Sequence, residues 1–272
     1  MSNCLLAYPD RTLVSSSYTP VLDAGTWNAN YPLANLQNPL LAAKARSGNV
    51  TVGSPSFRVN LGVSRNINVI ALLRHNASSS GTVTIRAYSD VFTTLILTLN
   101  VSFWPEGYPS LEDKKVYQND LYIPISSITA RSFIFDVFDD TNPAGYFELS
   151  RCILAPSFQP AINMIYGSSI GLETETQRQR TLGGVDYYDR KEPRRIKQFT
   201  LDSLSEVEAF DSILDMQYDR GLDKELLFVT DLTDTGKRLK QRSFLGTLRT
   251  LNAIEHPYFD GHSVGFEIAE IL

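Results

Sequence analysis

Two histidines six residues apart, His256 and His262, enclose Pro257-Tyr258-Phe259-Asp260-Gly261, and Glu255 adjoins the first of them. Imidazole nitrogens and carboxylates serve as metal ligands and as acid–base groups, so chemistry is looked for here first. Histidines that share a metal from one helix face are spaced four apart; a spacing of six, with no further ligand cluster, reads as a solvated loop. Asp139-Asp140-Thr141-Asn142 groups the oxygen ligands that calcium takes, which makes Asp139 and Asp140 a calcium candidate. An acidic turn followed by Pro143-Ala144-Gly145 also forms without an ion, and no metal or cofactor is expected. Gly183-Gly184 reads as a turn and not as a phosphate cradle, because Val185-Asp186-Tyr187-Tyr188 opens no helix. No nucleophile triad or acid pair stands out, so no catalytic residue is assigned and an enzyme is not expected.

Binding residues are easier to nominate. Phe103-Trp104-Pro105-Glu106-Gly107-Tyr108-Pro109 falls where a loop belongs. Aromatic faces stack on sugars and anchor protein interfaces, so Trp104 and Tyr108 are ligand or interface candidates; capping the core beneath their own loop is the equal alternative. Within Arg190-Lys191-Glu192-Pro193-Arg194-Arg195-Ile196-Lys197, the residues Arg194, Arg195 and Lys197 form either a docking patch or a solvated strand edge whose cations discourage edge pairing. Asn49, Asn76 and Asn100 begin glycosylation acceptors, which matter only in a secreted chain. The opening MSNCLLAYPDR has neither the positive start nor the long apolar stretch of a signal peptide.

The elements that must carry these residues divide in the middle of the 272-residue chain. Residues 1–160 hold 11 Lys+Arg and 11 Asp+Glu, whereas 161–272 hold 14 and 19, so the net charge of −5 sits in the second part. Ala155-Pro156-Ser157-Phe158-Gln159-Pro160 is a natural boundary between two domains, 1–160 and 161–272. Without a basic excess, nucleic acid is not an expected partner. The longest apolar runs, such as Val69 to Leu73, are too short to span a membrane, and no membrane partner is expected. Cys4 and Cys152 are too few for a disulfide framework and leave one possible bridge.

Seven strands are expected in the first domain: Phe57 to Leu61, Ile67 to Arg74, Thr82 to Tyr88, Leu95 to Phe103, Leu121 to Ile125, Ser132 to Phe138 and Phe147 to Leu154. In the third, Val83, Ile85 and Ala87 share one face. The pattern predicts a β-sandwich or jelly roll. In the second domain, Ser205-Glu206-Val207-Glu208 is a capping box, followed by Val207, Phe210, Leu214 and Tyr218 at helical spacing with Ile213 widening the stripe. Strands are expected at Arg194 to Leu201, Glu225 to Thr230, Ser243 to Thr250 and Val264 to Ile271, with a hairpin-like pair around Asp234-Thr235-Gly236. Residues 161–193 read as an extended arm or irregular strands. The expected class is mainly β: an N-terminal jelly-roll β-sandwich, then an α+β unit with one helix.

Tyr31-Pro32-Leu33-Ala34-Asn35-Leu36, Ala45-Arg46-Ser47, Phe57 to Gly62, Arg65 to Leu72 and Gly81 to Asp90 follow one another in an order that resembles the discoidin, or galactose-binding-like, jelly roll over about residues 5–156. The cysteine pair of secreted members is missing. The element order of the second domain, with Phe244-Leu245-Gly246-Thr247-Leu248 and Val264-Gly265-Phe266-Glu267-Ile268 as final strands, is similar to the split barrel of tail-tube and distal-tail proteins of long-tailed bacteriophages. Together these resemblances imply a structural virion protein of a tail tip or baseplate, made in the host cytoplasm. Its copies would form a ring, a hexamer by that resemblance, joined to tail tube, hub, fibre or other baseplate proteins. The alternative is a carbohydrate-binding module for a host surface glycan, which predicts that Trp104 and Tyr108 stand exposed.

Overall fold

Val83, Ile85 and Ala87 are buried while Thr82, Thr84 and Arg86 lie outside the core, and this period-two burial recurs along most of the longer strands. The computed structural model describes residues 3–15, 18–104, 119–234, 236–259 and 261–272, and they are mainly β. Two compact units result. One contains Ala7–Ser157 and Thr233–Gln241; the other contains the residues up to Leu6, Phe158–Leu232 and Arg242–Leu272.

The chain begins with β1 (Leu5–Ala7) and then builds the first unit from β2 (Val21–Asp23), β3 (Ala45–Arg46), β4 (Phe57–Leu73), β5 (Thr82–Tyr88), β6 (Leu95–Ser102), β7 (Leu121–Phe138), β8 (Glu148–Leu149) and β9 (Arg151–Ala155). β4 and β7 each replace two of the expected strands. The chain bends there without breaking: their antiparallel ladder shifts register between Asn60 and Arg65 and again between Ile67 and Val69. Gly62 sits at a φ of +79° inside the first shift, a conformation a side chain would strain. One half of each bent strand lies in the array β2-β4-β7-β5-β6, while the other half of β4 pairs with β9. The sandwich encloses a single core, with Phe57 stacked on Phe135 at 4.6 Å and Ile67, Ile85, Phe133 and Phe147 around them.

Asp10 and Arg151 are buried beside that core. Arg151 Nη2 donates to Asp10 Oδ2 at 2.7 Å and Nη1 to the Pro39 carbonyl at 3.2 Å, while Asp10 Oδ1 accepts from the Thr12 amide at 2.9 Å. Each charge is neutralised by the other, the condition under which a buried ion is tolerated.

The second unit uses β10 (Ser157–Phe158), β11 (Ser169–Glu173), β12 (Gln177–Arg180), β13 (Asp186–Asp189), β14 (Arg194–Leu204), β15 (Leu226–Val229), β16 (Phe244–Leu248), β17 (Glu255–Tyr258) and β18 (Gly261–Glu270). Its main sheet runs β10-β1-β15-β16-β18-β14-β11, with β17 on β18. Phe199 stacks on Phe228 and on Phe266, each at 5.1 Å, inside the sheet's packed face. β12 and β13 form a separate antiparallel hairpin.

The capping box forms as its sequence requires: the Glu208 amide donates to Ser205 Oγ at 3.3 Å, and the Ser205 amide to Glu208 Oε2 at 3.0 Å. The expected inward stripe does not. Ala209, Ile213, Met216, Gln217 and Arg220 face the unit, whereas Val207, Phe210, Leu214 and Tyr218 are exposed. A wide π-helical stretch, Glu208–Leu214, precedes the α-helical turns Asp215–Arg220; the buried residues keep helical spacing, so what differs is the face turned inward, and of the expected stripe only Ile213 is buried. Gly236–Arg242 is a short helix where a hairpin-like pair was expected; Lys, Arg, Leu and Gln favour a helix and no β-branched residue opposes it. Cys4 and Cys152 are free thiols, so the possible bridge is not made. No helix among the described residues is long and apolar enough to cross a membrane.

Candidate functional site

Trp104 is only 5% exposed, so it is no open platform for a ligand. Its Nε1 donates to the Ala77 carbonyl at 2.9 Å, its ring meets His75 edge-on at 5.4 Å, and the Lys240 ammonium lies 3.9 Å from its centroid. Of the two alternatives for Trp104, the structure realises the core cap. Tyr108 lies outside the described residues. His75 is buried with Trp104 and Phe103.

Asp139 is buried and committed within its own unit: Oδ2 accepts from the Ser78 amide at 3.0 Å and from Asn142 Nδ2 at 2.7 Å, and Oδ1 accepts from the Ser78 hydroxyl. Asp140 is exposed beside it. The pair therefore presents one occupied and one solvated carboxylate. Among the described residues no three His, Cys, Asp or Glu side chains come together as a metal-binding group. His256 and His262 do meet, stacked at 4.5 Å with rings 5° from parallel, because β17 and β18 fold back on one another. His256 Nε2 lies 3.1 Å from the Phe259 carbonyl, and the His262 ring meets the edge of Phe210 at 5.3 Å.

The basic run does not form a free edge. β14 lies between β18 and β11, and as far as Leu201 the pleat turns its odd-numbered side chains into the unit and its even-numbered ones to the other face. Arg195 is buried, with Nε donating to Glu270 Oε2 at 2.8 Å and Nη1 to the Ser243 carbonyl at 3.1 Å. Lys197 is buried with its ammonium 3.1 Å from Ser168 Oγ, and burial lowers its pKa. Burial likewise pushes the Cys4 thiol up to about 12. Arg194 is partly exposed but paired with Glu173 at 2.9 Å and Glu175 at 3.4 Å. The three cations, consecutive in type, thus perform two structural tasks and one surface task.

A different constellation assembles in the first unit. The Arg46 guanidinium lies between two aromatic rings, 4.3 Å from the Tyr31 centroid and 4.1 Å from that of Tyr146. Arg46 Nε donates to Glu148 Oε1 at 2.8 Å, and Lys44 Nζ lies 3.5 Å from Glu148 Oε2. Hydrogen bonding to Glu148 raises the Arg46 pKa above its ordinary value. Pairing of β3 with β8 sets Arg46 opposite Glu148, and the Arg46 amide donates to the Tyr31 carbonyl at 3.0 Å, drawing the third loop in. Tyr31 remains 39% exposed. A partly exposed phenol with a guanidinium over its ring, next to a bridged Arg–Glu pair, offers apolar contact together with hydrogen bonding, the combination a small-molecule site uses. Tyr31 and Arg46 stand in strings the sequence had marked, but Tyr146 and Glu148 are a hundred residues further on, and no local spacing joins them.

The second unit carries its own candidate surface. Val207, Phe210, Leu214 and Tyr218 line the outer side of the helix, with Tyr218 93% exposed, and β12–β13 stands exposed with Leu182, Tyr187 and Tyr188 at 62% or more.

The fold and these sites define a mainly β protein that joins a jelly-roll sandwich to an α+β unit. No family model matches the chain, and no curated protein matches it. Solved structures similar to it include the family 32 CBM of C. perfringens NanJ in complex with galactose, at 16% identity and a TM-score of 0.39 over 56% of this chain and 99% of that one. The lectin binding domain of Lectinolysin, complexed with Lewis b, is similar at 10% identity and a TM-score of 0.39, over 56% of this chain and 98% of that one. A Ruminococcus gnavus GH29 fucosidase in complex with fucose matches at 12% identity and a TM-score of 0.38 over 55% of this chain. That match covers only 27% of the fucosidase chain, and a match to SpGH29 covers 28% of SpGH29.

Proposed function

We propose that this chain is a non-catalytic binding and assembly protein of a bacteriophage tail tip: its second unit gathers copies into a ring, and its jelly roll recognises a glycan on the host surface. The observation that carries the proposal is a contrast. The jelly roll closes around its own core and offers a wet, aromatic and charged cluster at Tyr31, Arg46, Tyr146 and Glu148. The second unit leaves aromatic and aliphatic side chains uncovered on a helix and on a projecting hairpin. Exposed apolar surface of that kind supports a contact with another protein.

The glycan half is tested with immobilised host surface polysaccharide, using the intact chain and Tyr31→Ala. Retention lost in the variant, with mass and thermal stability unchanged, supports sugar recognition. Equal retention of both proteins removes Tyr31 from the glycan site, and retention of neither while rings still form assigns the jelly roll to contacts with hub or fibre proteins instead.

A further inference from the structure

We infer that the β12–β13 hairpin of one copy lies across the exposed helix face of the next copy, and that this head-to-tail contact builds the assembly. The inference deepens the ring half of the proposed function and rests on it.

Two surfaces of the same unit lack what each would supply to the other. On the helix, Val207, Phe210, Leu214 and Tyr218 form a continuous apolar strip, and Glu206, Asp211 and Asp215 are exposed along it. Residues 205–223 hold six Asp or Glu and one Arg. On the hairpin, Arg178 opposes Tyr188 and Arg180 opposes Asp186, and directly opposed residues share a face. That face therefore presents two guanidinium groups, both drawn toward the one carboxylate of Asp186 at 2.7 and 3.9 Å, and a phenol ring, with exposed Leu182 at the tip. Residues 177–191 hold four Lys or Arg and two Asp, so the hairpin is positive where the helix is negative. A two-stranded hairpin with every strand residue outside a core is at best marginally stable in water, so it gains its structure by packing on something. Both surfaces are exposed in a single chain, and the occupant that matches them in charge and apolar character is a second copy.

A contact between two different surfaces of identical subunits is heterologous. It propagates from copy to copy and closes into a ring when the rotation per copy permits. A symmetric dimer would pair helix face with helix face and set acidic strips against one another.

The test mixes two preparations of the full chain, Tyr218→Cys and Tyr188→Cys, under mild oxidation, with Val91→Cys in the jelly roll as the exposed control. The native thiols Cys4 and Cys152 are buried and do not compete. A disulfide-linked dimer that needs both variants, and is absent from either alone, is the expected result. Charge reversal gives a second readout: Asp211→Lys with Asp215→Lys weakens self-association at least tenfold by light scattering, and adding Arg178→Asp with Arg180→Asp restores it. If the unaltered chain assembles while no mixed disulfide forms and charge reversal leaves the mass unchanged, the hairpin–helix contact is overturned and the ring stands on other surfaces. If the unaltered chain stays monomeric throughout, the ring and the contact are overturned together.

Discussion

The two units meet the same problem, burying apolar side chains without stranding polar ones, and solve it differently. In the jelly roll, the rings at Phe57, Phe135 and Phe147 are wholly inside, and even a full positive charge, Arg151, is buried against Asp10. In the second unit, a comparable aromatic stack at Phe199, Phe228 and Phe266 fills one face of the sheet, yet Tyr218 and Phe259 stand almost fully exposed. The difference teaches where free energy is left to be gained. The jelly roll leaves mainly aliphatic side chains outside, such as Leu40, Val52 and Leu95. The second unit holds burial in reserve, and association is the process that can release it.

Asp10→Ala tests the self-sufficient side of that contrast with the largest expected effect. It strands the buried Arg151 charge and lowers jelly-roll stability by about 3–5 kcal/mol, read as a drop in thermal midpoint, while the mass of the native assembly is unchanged. Trp104→Ala removes a buried ring and costs about 3–5 kcal/mol; glycan retention per folded molecule persists, because the ring is no part of the binding surface. Leu214→Asp, on the open side of the helix, changes unfolding free energy by no more than about 0.5 kcal/mol and yet removes self-association, which sedimentation reads directly.

A pH series probes the buried thiol near Lys197. With the folded pKa of Cys4 raised from 9.0 to about 12, the folded state holds this proton more tightly than the unfolded state does. The stability it contributes is full below about pH 9 and is lost as pH rises from 9 toward 12. Cys4→Ala flattens that limb in urea titrations, and iodoacetamide at pH 8 labels Cys4 only after unfolding. The smallest effect belongs to Arg194→Ala, where a partly exposed ion pair contributes about 0–1 kcal/mol.

Local rules were readable to the extent that they act over a few residues. Alternation at Val83, Ile85 and Ala87 and the Ser205–Glu208 box both appear as the sequence implies, since each depends on neighbours within one strand or one turn. The helix keeps a helical period but turns a different face inward, with Ala209, Ile213 and Met216 buried in place of Phe210, Leu214 and Tyr218, and a periodic stripe in a sequence does not show which face the unit covers. β4 and β7 read as two strands each because Gly62, Ser64, Arg65 and Asn66 in the one, and Ser126, Ser127, Thr129 and Arg131 in the other, resemble a loop, whereas they lie at the bend of one antiparallel pair. Arg195 and Lys197 read as surface cations because a sequence shows neither that β11 pairs with the outer edge of their strand nor which of its faces turns inward. The Tyr31–Arg46–Tyr146–Glu148 cluster was hidden for the same reason: three loops meet there, and only the sheet register makes them neighbours.

The most direct measurement is the mass of the intact chain by light scattering across a concentration series, with electron microscopy of the same sample. If the second unit keeps burial in reserve for its own copies, mass rises with concentration to a fixed multiple and the images show closed rings. A monomer at every concentration, with no rings in the field, would contradict the division of labour between the two units.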